Sequence, residues 1–170
     1  MRKQKGFSLI ELLIVVAIIL IIAAIAIPNL LRARIAANES SAAASVRTIA
    51  TSELTYQTAY QAYAPSLGSL GPPAATGCPA SGPTSAAACI IDYQLATATT
   101  AAAAKSGYMF SATPPAVALQ YFITAVPGSQ GSSGVKGFCA VEDNVVRFIN
   151  PAAGPVASHD ACLALASIGN

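Results

Sequence analysis

From Leu12 to Ile27 every side chain is apolar, and a single carboxylate, Glu11, stands at the amino end of the run. Arg2, Lys3 and Lys5 precede it. The stretch from Leu9 to about Leu31 is long enough to cross a hydrocarbon core of roughly 30 Å, which takes about 20 helical residues. The three cations before it would stay on the cytoplasmic side. Glu11 does not fit a plain membrane anchor, because a carboxylate inside a spanning helix costs about 2.5–3.5 kcal/mol and usually answers a partner. At roughly 0.3–0.6 kcal/mol gained per Ile, Leu or Val, the apolar run absorbs that cost. The expected state is an inserted helix with an unpaired charge.

The pattern changes at Pro28. Proline lacks a backbone donor and its ring crowds the carbonyl of Ala24, so a bend or a locally melted stretch is expected just upstream. From Asn29 to about Tyr63 there is no further Pro or Gly, and Leu31, Ile35, Ala42, Val46, Ile49 and Leu54 recur at near-helical spacings. This half predicts an amphipathic helix with a narrow apolar stripe. A continuous helix from Phe7 to Tyr63 would measure roughly 85 Å at about 1.5 Å per residue. A small domain cannot cover it, so the first half calls for lipid or other subunits and the second for the chain's own globular part. Tyr56, Tyr60 and Tyr63 fall at i, i+4 and i+7, and are read as capping the helix–domain core rather than as a stacking or conducting stripe. Pro65 and the Gly/Pro/Ser stretch Ser66 to Pro73 end the helix.

Beyond it, Ile90 to Leu95 reads as a short helix and Thr97 to Ser106 as a low-complexity loop. Period-two alternation and β-forming residues then mark strands at Gly107–Thr113, Leu119–Val126, Val135–Glu142 and Val145–Asn150, broken at Pro114-Pro115, Pro127 to Gly134 and Glu142-Asp143-Asn144. The last break is short enough for a hairpin. Asn150 to Asn170 reads as an irregular tail tied down through Cys162. The fold class is α+β, a long N-terminal helix packed on a small C-terminal antiparallel sheet.

Four cysteines allow three pairings, and the sequence alone does not choose among them. None is spaced Cys-x-x-Cys, and with His159 the sole histidine a zinc site or haem attachment lacks ligands. An exported domain with two local disulfides, Cys78–Cys89 and Cys139–Cys162, is the expectation, each contributing roughly 2–4 kcal/mol to a domain with a small core.

Lys5-Gly6-Phe7-Ser8-Leu9-Ile10-Glu11-Leu12-Leu13-Ile14-Val15-Val16-Ala17-Ile18 resembles the processing and assembly segment of type IV pilins and the related type II secretion pseudopilins, and Pro28 sits where those proteins carry a kinking proline. The likeness is close from Lys5 to Leu31 and architectural beyond. It implies cleavage between Gly6 and Phe7 by a prepilin peptidase, N-methylation of Phe7, and Glu11 as the group that docks an incoming subunit. The new amine of one Phe7 would answer Glu11 of another copy, an interaction on the order of 4 kcal/mol at about 4 Å and an effective dielectric of about 20, before desolvation. The implied organisation is a leader at 1–6, a transmembrane and polymerisation helix at 7–29, the amphipathic helix half at 30–64 and a pilin-like head at 65–170.

Charge agrees with association rather than with nucleic-acid binding. Nine Lys plus Arg stand against seven Asp plus Glu; loss of Arg2, Lys3 and Lys5 leaves six against seven, so the net charge moves from +2 to −1 before the new amine is counted. No basic patch is large enough to suggest nucleic acid. Charged residues make up 9% of the chain, against roughly 25% in an ordinary soluble domain. A secretory signal peptide ending near Ala23-Ala24-Ile25-Ala26 is the main alternative for the amino terminus, and Glu11 argues against it.

Catalytic signals are weak. His159-Asp160 is an adjacent pair, but no nucleophile motif accompanies it, and Asp92, Glu142, Asp143 and Asp160 are scattered. The resemblance to pseudopilins raises calcium at Glu142-Asp143; no ligand spacing supports it, and a solvated turn is preferred. No Gly-rich phosphate loop follows a strand. Asn38-Glu39-Ser40 fits the N-glycosylation sequon but falls in mid-helix. The expected protein is not an enzyme, needs no cofactor or metal, waits in the inner membrane as a prepilin, and assembles with copies of itself through pilus machinery into an extracellular filament. A type II secretion pseudopilin and a membrane-anchored binding domain that never polymerises are the alternatives.

Overall fold

A computed structural model describes residues 7–114 and 119–169. The leader Met1 to Gly6 and the break at Pro115 lie outside the described residues. The chain divides into two compact units, Met1–Arg34 and Ile35–Asn170.

Helix α1 spans Leu9–Tyr60 and contributes to both units. Its assignment is unbroken through Ala24 to Pro28, so the melted stretch expected upstream of the proline is absent. The helix stops at Tyr60, three residues short of the expected end, where Gln61 turns to a left-handed φ of 59°. Within the first unit, Leu9 to Arg34 buries no side chain against its own chain.

In the second unit, Ala42, Val46, Ile49, Glu53 and Tyr56 of α1 form the buried face. Of the expected stripe, Leu31 is exposed and Ile35 half-buried, while Ala42, Val46 and Ile49 are buried. Leu54 remains 38% exposed, because five residues after Ile49 a helix has turned about 140° off its face, whereas positions four and seven later bring Glu53 and Tyr56 inward. The buried position that sequence alone would fill with an apolar residue holds an acid.

This face packs on a four-stranded antiparallel meander, β1 (Tyr108–Thr113), β2 (Phe122–Pro127), β3 (Gly137–Val141) and β4 (Arg147–Ile149), in chain order. Phe110 lies opposite Ala125, Ala125 opposite Phe138, and Phe138 opposite Phe148. That row alternates large and small side chains across the sheet toward the core shared with α1. β3 is buried along its whole length, since its other face carries Cys139 and Val141 into a second cluster with Val156 and Cys162. The β3–β4 connection turns at Glu142-Asp143-Asn144, where Asn144 takes a left-handed φ of 58° and donates its N–H to the Val141 carbonyl at 2.9 Å.

Three further short helices complete the unit: α2 (Leu67–Leu70), α3 (Tyr93–Ala96) and α4 (His159–Leu163). α3 begins later than expected because the Asp92 carboxylate accepts the Leu95 N–H at 2.8 Å and caps it, leaving Ile90 and Ile91 outside. The loop after it contains a 3₁₀ turn at Ala101–Ala103. The tail expected to be irregular contains α4, capped by Ser158. Cys78 is bonded to Cys89 and Cys139 to Cys162; the second bond fastens α4 to β3.

Candidate functional site

The amino-terminal segment is built around one local contact. Ser8-Leu9-Ile10-Glu11 has the Ser-x-x-Glu spacing of a capping box, and the Glu11 Oε2 accepts the Ser8 N–H at 2.9 Å. The carboxylate therefore satisfies one of the donors a helix start leaves over, and its charge sits at the positive end of the helix dipole. Among the described residues no cation pairs with Glu11, so its charge is unpaired as expected, but it accepts one backbone N–H within its own first turn. Phe7 is 79% exposed, and Leu9, Ile10 and the run to Ile27 present their side chains outward. The most apolar 18-residue window of α1 has a mean hydropathy of 3.3 and none of it is buried within the chain. Pro28 sits inside the helix, and Gly6 lies outside the described residues.

Residues 1–27 match the family described as the prokaryotic N-terminal methylation motif. The amino terminus of this chain carries that motif. Two relatives agree with it: the type IV wide pilus major component PilA4 of Thermus thermophilus, 68% identical over 40 residues, and the type IV major pilin protein PilA of Myxococcus xanthus, 43% identical over 54 residues. The first match covers 24% of this chain and 30% of the relative, the second 32% and 24%. The chain thus spans about a third or less of the length of the curated relatives it matches. Behind the motif, the long helix on an antiparallel four-stranded sheet is a pilin-like α+β arrangement.

The other groups singled out in the sequence are committed elsewhere in the head. Tyr56 is buried, donates its hydroxyl to the Ser85 carbonyl at 2.7 Å and packs on Tyr60 at 4.6 Å between ring centroids. Tyr63 lies beyond the helix end and meets Tyr121 edge-on at 5.0 Å. All three tyrosines pack against the core, although only two share a helix face. Asn38 donates its side-chain amide to the Ser133 carbonyl at 2.8 Å, tying α1 to the segment before β3.

Glu142 and Asp143 point to different partners. Asp143 is held by Arg147 and by the Val145 N–H, and the Arg147 hydrogen bond, opposed by burial, keeps its carboxyl below the usual carboxylate range. Glu142 instead meets His159 Nε2 at 2.8 Å, while His159 Nδ1 meets the Asp160 carboxylate at 3.0 Å. His159 is almost enclosed, and Asp160, against burial and together with Glu142, raises its pKa. The arrangement is a clamp between the end of β3 and the start of α4. Among the described residues no group of three or more His, Cys, Asp or Glu is gathered as a metal site.

Two roles escaped the sequence reading. Glu39 Oε1 accepts the N–H groups of Val135 and Lys136 at 3.1 and 3.2 Å, and its Oε2 pairs with Lys136 Nζ at 3.2 Å, tying α1 to the approach to β3. Glu53 is fully buried and its Oε2 accepts the Ala64 N–H at 2.9 Å. An acid at a stripe position, i+4 from Ile49, was the available signal for the second; for the first there was none.

Proposed function

We propose that this chain is a structural subunit of a type IV pilus, cut between Gly6 and Phe7, methylated on the Phe7 amine and polymerised through its amino-terminal helices. The observation that carries the reading is the methylation motif at residues 1–27 on a helix segment whose apolar surface the chain itself leaves uncovered. A surface of that size is stable only against lipid or similar helices. The subunit waits in the inner membrane and exchanges lipid contacts for contacts with copies of itself.

Glu11 supplies the register. Its Oε2 holds the Ser8 N–H, and a carboxylate has room for several donors, so the Phe7 amine of a neighbouring copy adds to that bond rather than replacing it. In a dry bundle the pair is worth far more than at a solvated surface. Pro28 lies within the uncovered part of the helix, ahead of Ile35, where the part that belongs to the head begins. The head, with its two disulfides, forms the outside of the filament. Prepilin peptidase and the pilus assembly machinery are the partners this life cycle requires.

Shearing surface material from the cells that make the protein, imaging it and sequencing its mature amino terminus by mass spectrometry tests the reading. Fibres built of chains that begin at N-methylated Phe7 are expected. Functional protein that retains Met1 to Gly6, or that stays single in the membrane, overturns it.

A further inference from the structure

Glu53 is an acid placed where a neutral group belongs. It lies on the face of α1 that also carries Val46, Ile49 and Tyr56 into the core, and none of it meets solvent. Its Oε2 reaches across to the Ala64 N–H, and its Oε1 has no hydrogen-bond partner among the described residues. The titratable groups that feel its charge are phenols. Tyr56, packed on Tyr60, comes from α1; Tyr63 comes from the joint that follows the helix; Tyr121 comes from the residue before β2 and also feels the charges of Glu142 and Asp143. His159 is bound to Glu142. No lysine, arginine or histidine among the described residues forms an ion pair with Glu53. A buried carboxylate without a cation takes up a proton rather than bear its charge.

We infer that Glu53 is a proton-operated latch on the joint between α1 and the sheet: neutral, it stays inside and holds Ala64; ionised, it turns toward water and frees the Gln61–Ser66 segment. The joint is placed to transmit the change. Tyr63 on that segment rests edge-on against Tyr121, whose hydroxyl donates to the Asn144 side chain at 3.1 Å in the β3–β4 turn. Loss of the Ala64 bond therefore loosens the contact between the helix end and the turn of the sheet. This device does not depend on the filament reading.

Burial pushes the Glu53 pKa from 4.5 up to about 7, with the Ala64 hydrogen bond pulling the other way. The closed joint binds the proton more tightly than the open one, whose acid titrates at its ordinary value. Opening is therefore insensitive to pH below about 4.5, grows by up to about tenfold per unit between there and about 7, and levels off above, on the order of a few hundredfold in all.

Carboxyl-carbon NMR of the full chain in detergent micelles, with amide exchange at Ala64 corrected for intrinsic base catalysis, tests the latch. Glu53 titrating near 7, and Ala64 opening that climbs between pH 5 and 7 and then levels, is the expected result. Glu53→Gln keeps a carbonyl acceptor for Ala64 but does not titrate, so its opening stays flat over the same range. Titration of Glu53 near 4.5, or an equal climb between pH 5 and 7 in Glu53→Gln, overturns the proposal; His159, whose proton is held more tightly than usual, would act only above about 6.5. Should Glu53→Gln not fold, the wild-type titration and exchange profile decide alone.

Discussion

Between Leu9 and Arg34, α1 carries Leu, Ile, Val and Ala on nearly every side of the helix and buries none of them. Between Ile35 and Tyr60 it carries mostly small and polar residues and buries one face against a sheet. Each large apolar side chain left in water forgoes about 1.5–3 kcal/mol relative to burial, so the first region cannot be the exposed helix of a soluble domain. The second needs nothing beyond its own chain: Val46 and Ile49 are fully enclosed, and Glu39 and Asn38 tie the helix to the segment before β3. One element thus serves two surroundings, and the composition of each half states which. An all-round apolar surface calls for lipid or other helices, and a stripe of small residues calls for one partner at close range.

The difference predicts that substitutions in the two regions separate cleanly. The largest effect is expected from Glu11→Ala. Recovered fibres should fall by about two orders of magnitude while the protein stays anchored and the head melts unchanged, since the substitution removes the proposed intersubunit pair; sheared yield and calorimetry read the two arms. Fibre yield at the wild-type level would break the comparison from the first side. In the head, replacing Cys139 and Cys162 together by Ser should cost about 2–5 kcal/mol in denaturant unfolding of the full chain in detergent, without touching membrane insertion. Ile49→Ala should cost about 2–4 kcal/mol by the same measurement, whereas Ile19→Ala should leave head stability within about 0.5 kcal/mol.

Much of this contrast was legible in the sequence, for physical reasons. The run Leu12 to Ile27 is apolar on every side, so water is not its solvent; the Ser8–Glu11 capping contact at its start was not read from the sequence. The strands were legible because Pro and Gly bound them and β-branched or aromatic residues alternate within them; Phe110, Phe138 and Phe148 end up in one row across the sheet. What was not legible depended on partners distant in the chain. Whether α1 ends at Tyr60 or Tyr63 is decided by Gln61 entering the left-handed region, which propensity does not foresee. Asp92 starts α3 only because Leu95 N–H and Lys105 meet it. The tail was read as irregular because α4 is a single short turn, held in place by Cys162 and the His159–Glu142 contact rather than by any periodicity of its own. At the amino terminus the motif residues were found, but the Ser8–Glu11 bond shows that a carboxylate in an apolar run can serve its own helix as well as a neighbour.

Two smaller effects sharpen the comparison. His159 holds its proton more tightly in the folded head, so its contribution is complete below its ordinary pKa of about 6.5 and is lost as pH rises through the raised folded value. Glu142→Gln should remove part of that dependence, about 1 kcal/mol or less, visible as a flatter stability profile from pH 6 to 8. Leu54→Ala, on a residue that the helical turn leaves outside, should change stability by no more than about 0.5 kcal/mol.

The most direct test removes one region and keeps the other. A chain lacking residues 1–28 should be a soluble monomer that forms both disulfides, melts cooperatively and yields no fibres under conditions in which the full chain assembles. A truncated chain that fails to fold without its amino-terminal segment, or that polymerises in its absence, would contradict the division of α1 into a part covered by its surroundings and a part covered by its own head.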